Sequence, residues 1–538
     1  MRQFNRSVGV AAGVAVTAAT AVVLAFVVWP DDDTRGGNGP VSTGPVNSSP
    51  APVATRNYPV SEAPRTIPSV REFGAAHGPG WRPASGARVL VAQGSKGLTD
   101  EGELLSHELK MGYAYGGTAR AGDIELALKP DKKAVHESYA LTTRDNRVRI
   151  TGPDSAGVFY GTRTLRQSVR AEGKLPEGVV HDWPAFPQRG FNLDIARKHY
   201  TAGWIEDRLR EMADLKLNQL GLHFSDDQAF RIESDSHPEV VSPEHLTKAE
   251  VRKIVALASS LHISVVPEID SPGHLGAVIK AHPDLQLKDV NGAASTGAVD
   301  VSNPASARIV DDLLREYAPL FSPKGGPTAY WHLGGDEYRA LTVKNPEASY
   351  PQLAKEAHRK YGAKATVQDL AAGWLNDRAA VMRPYGKKLK AWNDGFFRDG
   401  VVKADPSIEV EYWTGKEYGV RPPVEYLSAG RHLVNLNDEY LYYVLGEPNN
   451  FTYPTGRRIY EEWTPRVVRG TKPVPAKYAH LIQGARFAVW GDFPNAQTPA
   501  QVASGIRMPL AATAQKVWNP DKPKLTWQQF RALAAKVG

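Results

Sequence analysis

Gly334-Gly335-Asp336-Glu337 follows the apolar run Trp331-His332-Leu333, setting two carboxylates side by side at what reads as the end of a strand. Neighbours on a regular strand face opposite ways, so both acids reach one pocket only where the strand stops and the backbone turns. The two glycines remove side chains at that point. Asp-Glu also occurs at Asp100-Glu101 and Asp438-Glu439, so the signal lies in the context rather than in the dipeptide. Hydrolysis of a glycosidic bond usually employs two carboxylates ~5–5.5 Å apart for a nucleophile, or ~6.5–9.5 Å apart to admit water. Sequence neighbours are awkward for both arrangements. They suit a division in which one acid protonates the leaving oxygen and the other supports a nucleophile carried by the substrate. The carbonyl oxygen of a 2-acetamido group, as on an N-acetylhexosamine, is such a nucleophile.

Elements that could position such a pair are legible on both sides of it. Strand-like runs lie at Gly190–Ala196, Leu217–His223, Ile263–Ile269, Tyr330–Gly334, Leu389–Trp392, Ile408–Trp413, Leu433–Leu436 and Ala485–Trp490. Helical patterns separate most of them, among them Gly203–Met212, Lys248–Leu261, Ala305–Tyr317, Ala365–Met382 and Pro499–Val517. This alternation predicts an α/β fold, a parallel (β/α)8 TIM barrel, over residues 184–538. A doubly wound open sheet is the alternative, but no Gly-x-Gly-x-x-Gly or Walker-type loop follows any strand. Barrel sites are built at the C-terminal strand ends. Here those ends carry Arg197, Asp226-Asp227, Asp270 and His274, Asp336-Glu337, Trp392-Asn393-Asp394, Trp413, Tyr440-Leu441-Tyr442 and Trp490-Gly491-Asp492. Residues 59–183 read as a separate small α+β domain with short strands at Arg88–Ala92, Asp123–Leu128 and Val148–Ile150 and a helix at Ala156–Arg170. Pro184 and Pro187 mark its boundary with the barrel.

The segment His332-Leu333-Gly334-Gly335-Asp336-Glu337 resembles the catalytic signature of family 20 glycoside hydrolases, the β-N-acetylhexosaminidases. The small domain before the barrel resembles the non-catalytic domain that precedes the barrel in that family. The resemblance implies exo-acting, substrate-assisted retaining hydrolysis through an oxazolinium-like intermediate. By it, Glu337 is the general acid/base, and Asp336 holds the acetamido N–H. Arg197 binds sugar hydroxyls with its planar fork of donors. Asp226 and His274, the latter in Asp270-Ser271-Pro272-Gly273-His274, orient the catalytic pair. Trp392, Trp413 and Trp490 match an aromatic box around the acetamido methyl, and Tyr440 matches the tyrosine that steadies the acetamido oxygen. The sequence departs from the family at two positions: Tyr442 stands where Asp or Asn is common, and Asp492 replaces the longer Glu. Both positions ordinarily meet the outer hydroxyls of the terminal sugar. The run Asn435–Tyr442 is similar to dispersin-type poly-N-acetylglucosamine hydrolases, and the shorter acid leaves room for a substituted sugar, as in lacto-N-biosidases, which release a disaccharide. A non-catalytic glycan-binding surface protein is the alternative of another class; the retained acids and Arg197 argue against it.

Composition narrows the partners. The 538 residues carry 65 Lys+Arg against 58 Asp+Glu, a net +7 with no concentrated basic run, which points away from nucleic acid. There is no cysteine, which excludes disulfides, thiolate metal sites and cysteine nucleophiles. No metal or cofactor is expected, since the chemistry above needs two carboxylates; Asp226-Asp227 could form a cation site, but no His/carboxylate cluster at metal spacing accompanies it. Arg2 and Arg6 precede an apolar run from Val8 to Trp29, followed by Asp31, Asp32 and Asp33. Its length matches the ~20 residues of a membrane-spanning helix, and the charge order places the bulk of the chain outside the cytoplasm. Residues 1–30 are therefore expected to be a signal or membrane anchor and 31–58 a flexible Gly/Pro/Ser-rich linker, leaving an exported chain whose membrane contact is confined to its N-terminus.

Overall fold

The computed structural model describes residues 57–323, 325–416, 420–447 and 451–538. The expected anchor, and the linker as far as residue 56, lie outside the described residues.

The first sheet has seven strands: β1 (Glu72–Ala75), β2 (Arg88–Val91), β3 (Gly112–Tyr115), β4 (Ile124–Leu128), β5 (Tyr139–Arg144), β6 (Arg147–Gly152) and β7 (Gly178–Asp182), in the order β1-β7-β5-β6-β4-β2-β3. β5 and β6 are joined through Asp145 and Asn146, with φ of 51° and 55°, the left-handed pair that matches the twist of a tight hairpin. Helices α1 (Thr99–Leu109) and α2 (Ser155–Glu172) lie against this sheet. Asp154 caps α2 by accepting from Gly157 N–H, and Gly173 ends it in the left-handed region. Strands β5 and β6 bury alternate residues, so one face fills the core and the other stays half-exposed. The sequence pattern marked three of the seven strands and α2 in this domain.

All eight strands expected for the barrel are present: β8 (Gln188–Asp194), β9 (Gln219–His223), β10 (Ser264–Glu268), β13 (Tyr330–His332), β14 (Lys388–Trp392), β15 (Glu409–Tyr412), β16 (Leu433–Asn435) and β18 (Ile482–Trp490). A hairpin, β11 (Gln286–Lys288) and β12 (Ala294–Val299), is inserted after β10, and β17 (Tyr442–Val444) runs beside the end of β18. The pairings between the barrel strands are all parallel, and β18 bonds both β8 and β16, so the sheet closes on itself and the open-sheet alternative falls.

The barrel interior is ionic. Lys390 Nζ bonds Gln188 Oε1 at 2.6 Å and Glu409 Oε2 at 2.8 Å and pairs with Glu411 at 3.1 Å; Arg486 also pairs with Glu411. His332 stands between Glu411 (3.7 Å) and Glu268 (3.4 Å). A Cβ at Gly221 would collide with Asn192 and crowd the Arg486 guanidinium, so glycine there makes room for this layer. Glu268 pairs in turn with His223 Nδ1 (3.3 Å), and His223 Nε2 with Asp226 (2.8 Å). Buried charges persist only where such partners answer them. The chain of contacts runs from the N-terminal strand ends to the loops at the opposite mouth.

Candidate active site

At the end of β13 the backbone passes through Gly334 (φ 69°) and Gly335 (φ 98°) before Asp336 and then Glu337, whose φ of 45° is rare for a residue with a side chain. A Cβ at Gly334 would run into the Asp270 carboxylate. Two acids from neighbouring strand ends hold this turn: Asp270 Oδ1 accepts from Gly335 N–H at 2.8 Å, and Asp394 Oδ2 accepts from Glu337 N–H at 2.9 Å. Backbone held in such a conformation by its surroundings is characteristic of functional sites. As a result, Asp336 and Glu337 both face one imidazole, with His274 Nε2 3.7 Å from Asp336 Oδ2 and 3.4 Å from Glu337 Oε2.

His274 is held from behind by Asp226, whose Oδ1 lies 3.2 Å from Nδ1. Burial works against charging this histidine, but Asp226, Asp336 and Asp270 outweigh it and hold its pKa well above the ordinary value. Asp226 also meets Arg197 Nη2 at 2.7 Å, and Arg197 Nη1 reaches Asp194 Oδ2 at 3.0 Å. Asp226 is buried, yet His274, His223 and Arg197 hold its carboxyl well below the usual range. Arg197 and His223 both meet Asp226 Oδ2, and donor atoms of Asp226, Asp227 and His274 lie within 4.8 Å of one another. Donor atoms of Asp270, His274 and Asp336 also lie within 4.8 Å of one another. Burial raises Asp336, with the Glu337 charge adding to it, and burial and the Asp336 charge raise Asp270 further. Glu337 moves the other way, because its hydrogen bond with His274 favours the carboxylate.

Beside the acids, Trp392, Trp413 and Tyr442 form a separate apolar cluster with Val434, Leu436, Val444 and Ala488, and Trp490 packs against it. Trp413 and Tyr442 stack with ring planes 3° apart, and Trp490 closes on Tyr442 (5.6 Å) and Trp392 (5.9 Å). Their polar edges are tied to the acids: Trp392 Nε1 donates to Glu268 at 2.7 Å and Trp413 Nε1 to Asp394 at 3.0 Å. Trp392, 1% exposed, is the floor, while Trp490 is partly open and carries the Arg197 guanidinium 5.5 Å from its ring centre. Asp492 is exposed at the rim, near enough to Arg197 to raise its pKa.

The structure thus brings together Arg197, Asp226, His274, Asp336, Glu337, Trp392, Trp413 and Trp490, with Asp492 at the edge. It does not bring Tyr440. That ring is packed in the main core under the Arg458 guanidinium, 4.1 Å away. Tyr440 sits on the short helix Asp438–Leu441, whereas Tyr442 lies beyond its end in extended backbone and begins β17, so the two rings leave the chain in different surroundings. Tyr442 is the one that faces the mouth: its ring stacks on Trp413 and packs against Trp490, and burial, with the Asp336 charge, holds its phenol well above the ordinary value. Sequence reasoning also missed His223 and Glu268. Both lie inside fully buried parallel strands, where no alternation of polar and apolar residues distinguishes inward positions.

Comparisons with known proteins agree with this geometry. Residues 186–521 match the family model of glycosyl hydrolase family 20, catalytic domain, and residues 63–183 match glycosyl hydrolase family 20, domain 2. A lacto-N-biosidase from Bifidobacterium bifidum is 30% identical over 545 residues, covering 99% of this chain and 46% of the relative. A β-N-acetylhexosaminidase from Cellulomonas fimi is 26% identical, covering 84% of this chain and 87% of the relative. This chain spans about half the length of the first two curated relatives it matches (46% and 54%). Among solved structures, the family 20 β-N-acetylhexosaminidase of Streptomyces coelicolor A3(2) superposes with a TM-score of 0.67 at 23% identity, over 89% of this chain and 96% of that one, a likeness of fold. With both family models matched in order, the barrel closed and the paired acids at its mouth, the chain belongs to glycosyl hydrolase family 20.

Proposed function

We propose that this chain is an exo-acting β-N-acetylhexosaminidase that hydrolyses terminal β-linked N-acetylhexosaminides with retention, the substrate's acetamido oxygen serving as nucleophile. The observation that carries this reading is the contact of two adjacent acids with one imidazole beside an aromatic cup. Glu337 gives its proton to the leaving oxygen and later takes one from water. Asp336 accepts from the acetamido N–H, so that the oxygen closes on C1. Tyr442, rather than Tyr440, donates to that oxygen, the three tryptophans enclose the methyl and the sugar's C–H face, and Arg197 binds hydroxyls. His274 favours the carboxylate of Glu337, so the fraction carrying the required proton falls as pH rises and the rate declines on the alkaline side.

A second reading, release of a disaccharide, is favoured by the short Asp492 at an exposed rim and by similarity over nearly the whole chain to a relative named lacto-N-biosidase. One panel of aryl glycosides separates the two. Turnover of an aryl β-N-acetylglucosaminide, with inhibition by a thiazoline mimic of the cyclised intermediate, is expected under the first; turnover of an aryl lacto-N-bioside alone replaces it with the second. Glu337→Gln is expected to lower kcat about 10²–10⁴-fold at unchanged melting temperature. Binding without cleavage by the unaltered chain overturns both.

We further propose that the chain is exported and held at the cell surface or released. Support comes from the sequence of residues 1–33; among the described residues no helix is long and apolar enough to cross a membrane. N-terminal sequencing of the protein recovered from cells decides between anchor and cleaved signal.

A further inference from the structure

The loop after β9 brings His237 and Glu239 against His282, which lies 45 residues beyond His237 in the segment after β10. His237 Nδ1 lies 3.0 Å from Glu239 Oε1, and His282 Nε2 lies 2.8 Å from that same oxygen. The three donor atoms are all within 4.8 Å of one another. Behind His237, its other ring nitrogen is buried without a hydrogen-bond partner among the described residues, and Asp312 Oδ2 stands 3.7 Å from it. A carboxylate behind one ring nitrogen while the other faces a shared donor cluster is how histidine ligands are oriented toward a metal.

The backbone under these groups is fixed. His237 N–H donates to Ser234 Oγ at 3.0 Å, and Glu316 accepts from Asp235 N–H at 2.7 Å, Ser236 N–H at 3.1 Å and Ser234 Oγ at 2.8 Å. Val240 and Leu285, close to the donors in sequence, are buried. Pro238 and Pro283 directly follow the two histidines and start short helical turns. Little order remains to be imposed when an ion arrives, which lowers the entropic cost of binding.

We propose that His237, Glu239 and His282 are the ligands of a divalent zinc-class cation, with Asp312 orienting His237. Two imidazoles and one carboxylate suit zinc and its neighbours rather than calcium or magnesium, which prefer all-oxygen shells. Ligand bonds of about 2.0–2.2 Å would replace the present contacts of both imidazoles with the Glu239 carboxylate. His237 lies 11 residues beyond Asp226, and His282 lies 8 beyond His274, so the ion would tie together the two loops that carry these site residues.

Calorimetric titration of the full chain with zinc chloride, after chelator treatment and dialysis, tests this. One saturable site per chain is expected, with a zinc-dependent rise in melting temperature and no displacement by excess calcium or magnesium. His237→Ala/His282→Ala should abolish it, and Asp312→Asn should weaken it about 10–100-fold. Melting of the metal-free variants at the wild-type temperature separates a lost site from a lost fold; should the double variant not fold, His282→Gln alone carries the same test. Absence of saturable uptake, uptake unchanged in the variants, or displacement by calcium at equal concentration overturns the proposal.

Discussion

Between β4, β5, β6 and α2 the first domain is filled by Ile124, Leu126, Leu141, Val148, Ile150, Val158, Phe159 and Leu165. Inside the barrel the equivalent space holds Glu268, His332, Lys390, Glu411 and Arg486, all essentially without exposure. Parallel barrels are ordinarily filled with branched apolar side chains. The contrast teaches what each interior is for. An apolar core stabilises by removing surface from water and has no preferred direction. An ionic interior is weak as a source of stability, because desolvation consumes much of the attraction, but its contacts are directional and can hold other groups in place. Glu268 shows this: it binds the indole of Trp392 on the aromatic side and His223, hence Asp226, on the acidic side.

The comparison can be broken by substitutions on either side of it. The largest effect is expected at Glu268→Gln, which leaves His223 beside a neutral partner in a buried place: about 3–5 kcal/mol of stability, together with a fall of more than about tenfold in kcat/KM for the aryl substrate. Denaturant melts and steady-state rates on one preparation check both; full activity would show that the inner layer does not position the site. Leu126→Ala in the first domain should cost about 2–5 kcal/mol by leaving a cavity, with kcat/KM of the folded protein unchanged. Activity loss without stability loss there would erase the distinction.

A pH series sharpens the contrast further. Against its burial, Glu268 and Asp226 hold the His223 pKa up at about 10, above the ~6.5 of an unfolded chain. The stabilisation from its charge is therefore complete below about pH 6.5 and lost as pH rises toward 10. Melting temperature should decline over that interval, and His223→Gln should flatten the decline. The smallest effect belongs to Arg149→Ala, which removes a part-exposed pair with Glu125 (3.3 Å) in the first domain; the change should stay within about 1 kcal/mol.

The eight barrel strands were legible because each is a short apolar run bounded by turn residues and followed by a helical period, and the site residues because strand ends in such a fold share one mouth. Strands β1, β3, β5 and β7 were not, since four to six residues of mixed polarity do not establish a period. Tyr440 and Tyr442 are two residues apart in an aromatic run, and what separates them is the change from the helix Asp438–Leu441 to strand β17, which no sequence pattern marks. The His237–Glu239–His282 group is invisible for a different reason: its parts are 45 residues apart, and only the packing of two loops makes them neighbours.

The closing strand, β18, begins at residue 482, whereas the first sheet is complete once β7 ends at residue 182. On a growing chain made at about 5–20 residues per second, on the order of 15–60 s separates the two events. Once made, β8 stays an open edge for nearly all of that interval, and β16 joins it as a second from residue 435, each with backbone donors and acceptors that another strand could claim. Vectorial synthesis thus gives this molecule one finished domain early and one long-exposed half-barrel. The stretch before residue 482 is where chaperone engagement, or mispairing between chains, would concentrate.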